Sequence, residues 1–262
     1  MKHYARTCAR SAVAACLVFA AAAFAGSASA AQPDAWNVVA LGDSDTTGHG
    51  DSTGLGWVGR YARLLRRELG LEVVVTNLAE EGKTSSDLLR EMRSDATTRA
   101  AVKKAQVVLI GIGGADLGAG DERLHAGACE GEACYAADLR AFGHTLAATA
   151  ALVRKLRGSR QAVLRAITLP NVVPGGRDVV PPFITDALGV YQNVLLKRGI
   201  CSAMKSHGGR CVDAFRKFNG AGGTQNAYAK GWLTKDPCCY PSGKGQQVMA
   251  QLVFDSGLAP LR

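Results

Sequence analysis

Asn37-Val38-Val39-Ala40-Leu41-Gly42-Asp43-Ser44 is the stretch on which the reading of this chain turns. Five residues with an apolar, β-branched core end abruptly in Gly-Asp-Ser, the pattern of a buried strand that delivers a serine to a loop at its carboxyl end. The loop continues Asp45-Thr46-Thr47-Gly48-His49-Gly50. A strand apolar throughout is one covered on both faces, which points to a parallel sheet between two layers of helices.

The rest of the chain repeats the alternation. Gly56 to Leu69 has apolar residues at helical spacing and Gly70 as a stop, and Val73-Val-Val-Thr76 is a second strand. Thr84-Ser-Ser-Asp87 opens a helix through Met92, its hydroxyl and acidic groups suited to capping free amides. Gln106 to Gly111 is a third strand, Ala136 to Leu156 a long helix, and Gln161 to Leu169 a fourth strand ended by Pro170. Phe183 to Met204 is helical, Arg210 to Asp213 a short fifth strand, and Ser242 to Phe254 a final helix. The expected fold is therefore a three-layer, doubly wound α/β domain with a parallel sheet of about five strands. Loops at the carboxyl ends of such strands build the ligand site.

Composition adds the compartment. The 262 residues carry 31 Lys+Arg against 22 Asp+Glu, a formal net charge of +9, with eight cysteines. Residues 1–30 have the three parts of a secretory signal: Lys2, Arg6 and Arg10, then the apolar run Ala12 to Ala25, then Ala28-Ser29-Ala30 as the cleavage site. The apolar run is shorter than the roughly 20 residues that span a bilayer. Cleavage would leave residues 31–262 as a single domain, secreted and without a transmembrane anchor, and would remove three bases and no acid. The charge falls to +6, and with no Arg/aromatic alternation a nucleic-acid partner is not expected.

Six cysteines then remain: Cys129, Cys134, Cys201, Cys211, Cys238 and Cys239. An even count in an exported chain predicts disulfides. Two local bridges, 129–134 and 201–211, suit the sequence. Cys238 and Cys239 are left either as a vicinal pair or as partners of 201 and 211. No Cys-x-x-Cys occurs, so no metal site is expected.

The serine loop is not Gly-x-Ser-x-Gly, Gly-x-Gly-x-x-Gly or a P-loop, so neither a nucleophile elbow nor a nucleotide cofactor has a motif behind it. Instead the chain resembles the SGNH, or GDSL, hydrolase family in four ordered blocks. Gly42-Asp43-Ser44 matches the first, which implies Ser44 as nucleophile. Asn77-Leu-Ala-Glu-Glu-Gly82 is similar to the second, whose glycine amide binds the oxyanion. Ile112-Gly-Gly-Ala115-Asp116 is similar to the third. Asp236-Pro-Cys-Cys-Tyr240-Pro-Ser-Gly-Lys-Gly245 occupies the last, which implies Asp236 and Tyr240 at the triad's remaining places. The resemblance implies the flavodoxin-like SGNH fold, no cofactor, a substrate among lipid, short acyl or acetylated-carbohydrate esters, and a monomer.

Two departures stand out. Ala115 replaces the Asn whose side chain would bind the oxyanion, a donor that contributes roughly 10²–10³ in rate. Tyr240 replaces the catalytic His, and an ordinary phenol with a pKa of about 10 is a poor base at neutral pH. The base would be His49, which lies five residues after Ser44, another displaced histidine among His125, His144 and His207, or Tyr240 itself. Two readings follow: a secreted serine esterase, or a catalytically silent relative serving as an extracellular binding or envelope-associated module.

Overall fold

The computed structural model describes residues 35–261, so the secretory signal expected over 1–30 lies outside the described residues. The chain begins with β1 (Ala35–Gly42), a single turn α1 (Ser44–Thr47), α2 (Gly56–Leu69), β2 (Glu72–Asn77), α3 (Ser85–Ser94) and α4 (Ala96–Lys104). It continues through β3 (Val107–Gly111), α5 (Gly118–His125), α6 (Ala136–Arg157), β4 (Val163–Ile167) and α7 (Asp186–Ser206). The last elements are β5 (Arg210–Val212), α8 (Ala214–Asn219), a hairpin of β6 (Leu233–Lys235) and β7 (Cys238–Pro241), and α9 (Gly243–Asp255).

Strands β1 to β5 form one sheet in the order β2-β1-β3-β4-β5, and every pairing in it is parallel. The order reverses after β2, placing a topological switch between β1 and β3, where open α/β sheets bind ligands. Alternation along β1 sorts its side chains between two cores. Val39 and Leu41 pack with Leu88, Met92, Phe142 and Leu196 from α3, α6 and α7. Trp36, Val38 and Ala40 pack on the other face with Trp57, Tyr61, Met249 and Val253 from α2 and α9. This is the doubly wound α/β sheet expected from the alternating strands and helices.

Local chemistry sets the element ends. Thr84 and Asp87 make the reciprocal capping box at α3, with Thr84 Oγ1 accepting from the Asp87 amide at 3.2 Å and Asp87 Oδ2 accepting from the Thr84 amide at 3.1 Å. Ser242 caps α9 by accepting from the Gly245 amide at 3.2 Å. Helices α4, α5 and α8 and the β6–β7 hairpin were not among the expected elements. The hairpin stands apart from the main sheet and carries the Cys-Cys-Tyr-Pro segment.

All six described cysteines are paired, as 129–134, 201–211 and 238–239. The alternative that left Cys238 and Cys239 bridging to 201 and 211 is therefore not the one adopted. Among the described residues no group of His, Cys, Asp and Glu is arranged to hold a metal ion, and no helix is long and apolar enough to cross a membrane.

Candidate active site

At the end of β1 the chain turns so tightly that only glycine fits. Gly42 has φ +154°, and a Cβ there would lie 1.8 Å from the Gly111 carbonyl oxygen at the end of β3. Asp43, almost fully buried, then fixes the loop. Its carboxylate accepts from the amides of Gly113 at 2.9 Å, Gly114 at 3.1 Å and Asp45 at 3.3 Å, tying the serine turn to the loop after β3. Burial raises the Asp43 carboxyl to about 6 against the pull of those three amides. Thr46 completes the splice by donating to the Gly111 carbonyl at 2.8 Å.

Ser44 begins α1 and opens into a cavity of 520 Å³. One wall comes from the loop after β2 (Glu81, Gly82), a second from the loop after β3 (Gly114, Ala115, Leu117), and a third from β7 (Cys238, Cys239, Tyr240). The remainder is mostly apolar: Leu169, Val173, Val180, Ile184 and Leu196. Gly82 sits at φ +74° with open space where a side chain would be, so its backbone can approach a ligand closely. Asp116, next to Ala115, accepts from the Ser85 amide at 2.9 Å and from the Ser85 hydroxyl at 2.5 Å, which fixes the start of α3 beside the same loop.

Tyr240 lines the cavity with the serine. Burial, with the negative charges of Glu81, Asp45 and Asp43, raises the phenol's pKa and outweighs the opposing influence of the Ser44 side chain. Tyr240 therefore holds its proton at neutral pH and is not poised to act as the base of Ser44. His49 packs at a tilt against that ring, with centroids 4.2 Å apart, and its Nδ1 is 3.7 Å from Glu81 Oε2. Neither His49 nor any other described histidine lines the cavity. His125 stacks on Phe183 with centroids 5.2 Å apart, His144 is exposed on α6, and His207 caps α7. Asp236 is exposed at the hairpin turn and does not line the cavity either.

Sequence reading thus placed Ser44, Gly82, Ala115 and Tyr240 around one cavity. It passed over Asp45, Glu81, Asp121 and the sulfur wall of Cys238 and Cys239. The doubled acid of Asp43-Ser44-Asp45 was the one signal in the sequence that could have drawn attention to Asp45.

A flavodoxin-like sheet with a serine at the end of its first strand, facing loops from the second and third, defines a class of hydrolase-type α/β domains. The GDSL-like Lipase/Acylhydrolase family profile matches residues 40–248, and the chain belongs to that family. It is 40% identical over 81 residues to the Bacillus subtilis protein YpmR, and this match spans 31% of the relative's length and 30% of this chain. Among solved structures, the lipase Lip_vut3 from a goat rumen metagenome superposes with a TM-score of 0.72 at 22% identity, covering 87% of this chain and 100% of that one. A catalytic mutant of the acetylxylan esterase Axe2 from Geobacillus stearothermophilus gives 0.61 at 19% identity, covering 86% and 94%. At these identities the likeness is one of fold.

Proposed function

We propose that this protein is a carboxylic ester hydrolase in which Ser44 attacks the ester carbonyl and the amides of Ser44 and Gly82 hold the resulting oxyanion. The observation that carries this reading is the opening of Ser44 into a 520 Å³ cavity whose apolar wall suits an acyl group and whose rim holds Gly82. Family membership supports ester chemistry, and the names of the solved neighbours include both a lipase and an acetylxylan esterase. Tyr240, in the place of the family's histidine, lines the cavity with Ser44 as a neutral phenol. The protein is exported through cleavage after Ala30, which the disulfide pairing supports and an N-terminal sequence starting at Ala31 would verify.

Exposure of the full chain to diethyl p-nitrophenyl phosphate tests the nucleophile. A diethylphosphoryl adduct mapped by mass spectrometry to Ser44 is expected. Absence of that adduct overturns the serine reading and favours the second one, a silent binding module, for which Tyr240 in the histidine place and Ala115 without a donor speak.

The same reading makes Ala115 a point of gain. Ala115 lines the cavity at the start of a short 3₁₀ turn, so an asparagine amide there would extend into it. Ala115→Asn should raise kcat on p-nitrophenyl acetate by about 10²-fold, the contribution of one oxyanion donor. Unchanged kcat, with the fold retained, would mean that the oxyanion does not form beside residue 115.

A further inference from the structure

Serine attack needs a proton acceptor, and the cavity contains no histidine among the described residues. The titratable groups lining it are Asp43, Asp45, Glu81, Asp121 and Tyr240. Four of these are already engaged. Asp43 spends its carboxylate on three backbone amides, Asp121 accepts from the Tyr135 hydroxyl at 2.5 Å, Glu81 is mostly exposed beside His49, and Tyr240 keeps its proton. Asp45 is different. It follows Ser44 directly on the first turn of α1, lines the cavity, and its carboxylate has no hydrogen-bond donor among the described residues.

We infer that Asp45 is the general base of this site, taking the role that the absent histidine would fill. The inference rests on Ser44 as nucleophile. As the Ser44 Oγ bonds to the ester carbon, its proton passes to the Asp45 carboxylate and the carbonyl π pair moves to the oxygen. Collapse of the oxyanion breaks the bond to the alkoxy oxygen, which leaves as alcohol with the proton from Asp45. Water then attacks the acyl-Ser44, giving its proton to Asp45. The second collapse frees the carboxylic acid and returns the proton to Ser44 Oγ.

The surroundings suit a carboxylate to this work. Burial, and after it the charge of Asp43, hold the Asp45 carboxyl well above the usual carboxylate range, making it a stronger base than a solvated aspartate. The groups that line the cavity around it are Asp43 from its own loop, Glu81 from the loop after β2 and Tyr240 from β7, with His49 packed at a tilt against the tyrosine ring. Of these, the Asp43 charge opposes its ionisation, and among the described residues no cationic side chain lines the cavity. Since the base acts as carboxylate, reactivity should rise with pH through a limb above the ordinary carboxylate range.

Rates of Ser44 phosphorylation by diethyl p-nitrophenyl phosphate, followed by intact mass across pH, test the assignment without requiring turnover. Wild-type protein should show the rising limb, and Asp45→Asn should label about 10²-fold more slowly at neutral pH, with that limb gone. Asp45→Glu should regain part of the rate and restore a limb, which a purely structural role for the aspartate would not do. Asp45→Asn labelling at the wild-type rate, or a limb that vanishes with His49→Ala instead, overturns the proposal while leaving Ser44 as nucleophile. A wild-type protein that forms no Ser44 adduct removes the serine reading itself, and the base assignment with it.

Discussion

Ser44→Ala should lower kcat/KM on a short-chain p-nitrophenyl ester by at least about 10³-fold, the largest effect expected of any single change to activity. The substitution removes one oxygen and nothing that holds the fold. The loop is kept by Asp43 on the Gly113 and Gly114 amides and by Thr46 on the Gly111 carbonyl, none of which involves the Ser44 side chain. Melting temperature should therefore stay near that of the natural chain while turnover disappears, with substrate affinity retained by the apolar wall. The magnitude is set below that of a full serine-histidine-aspartate site, because a carboxylate base and an oxyanion site without the Asn donor start from a lower rate. Initial-rate measurements on both proteins decide it. Equal turnover would place the chemistry on another residue.

Arg165→Met should cost about 3 kcal/mol of folding stability, more than a hundredfold in the folding equilibrium. Arg165 is 2% exposed in the middle of β4, an unusual place for a guanidinium. It donates to the Ser256 hydroxyl at 2.7 Å and to the carbonyls of Gly257 at 2.6 Å, Ala259 at 3.1 Å and Leu164 at 3.0 Å. One side chain thus ties the segment after α9 to the sheet. Methionine matches much of its bulk but leaves those carbonyls without a donor, and a lysine, with a single ammonium, cannot span the same fork of acceptors. Urea unfolding of the three proteins measures the effect, and a methionine variant as stable as the natural chain would sink the argument. Catalysis should change little at temperatures where the variant is folded.

The main strands were legible because β1 and β3 are apolar runs and β2, β4 and β5 are short stretches with β-branched residues beside turn or helix-end signals, and the alternation of β1 between two cores follows from its period of two. The α2, α6 and α7 helices were legible from spacing over more than a dozen residues. What escaped was short or fixed by distant partners. The α4 helix runs only from Ala96 to Lys104, is polar on most of its surface, and depends on Asp95, whose side chain accepts from the Thr98 amide at 2.6 Å. The β6–β7 hairpin has no alternating pattern, since Cys-Cys-Tyr-Pro gives none. At the site, block order located Ser44, Gly82, Ala115 and Tyr240, but it said nothing of which carboxylate is already spoken for. Asp43 and Asp45 look alike in sequence. Backbone amides separate them, and two of the three that hold Asp43 come from Gly113 and Gly114, 70 and 71 positions away.

The three disulfides divide their labour by the length of chain they enclose. In the chain-entropy account, a bridge across ten residues restricts the unfolded state by about 3 kcal/mol and one across five by about 2, whereas one between neighbours contributes less than about 1. Cys201–Cys211 and Cys129–Cys134 are thus fasteners for the fold, and Cys238–Cys239 is almost weightless in that respect. The pair instead lines the cavity beside Tyr240. The pair is upholstery rather than a bolt: two polar thiols turned into a soft, non-titrating surface, at the one place in the site where a stray thiolate nucleophile would compete with Ser44.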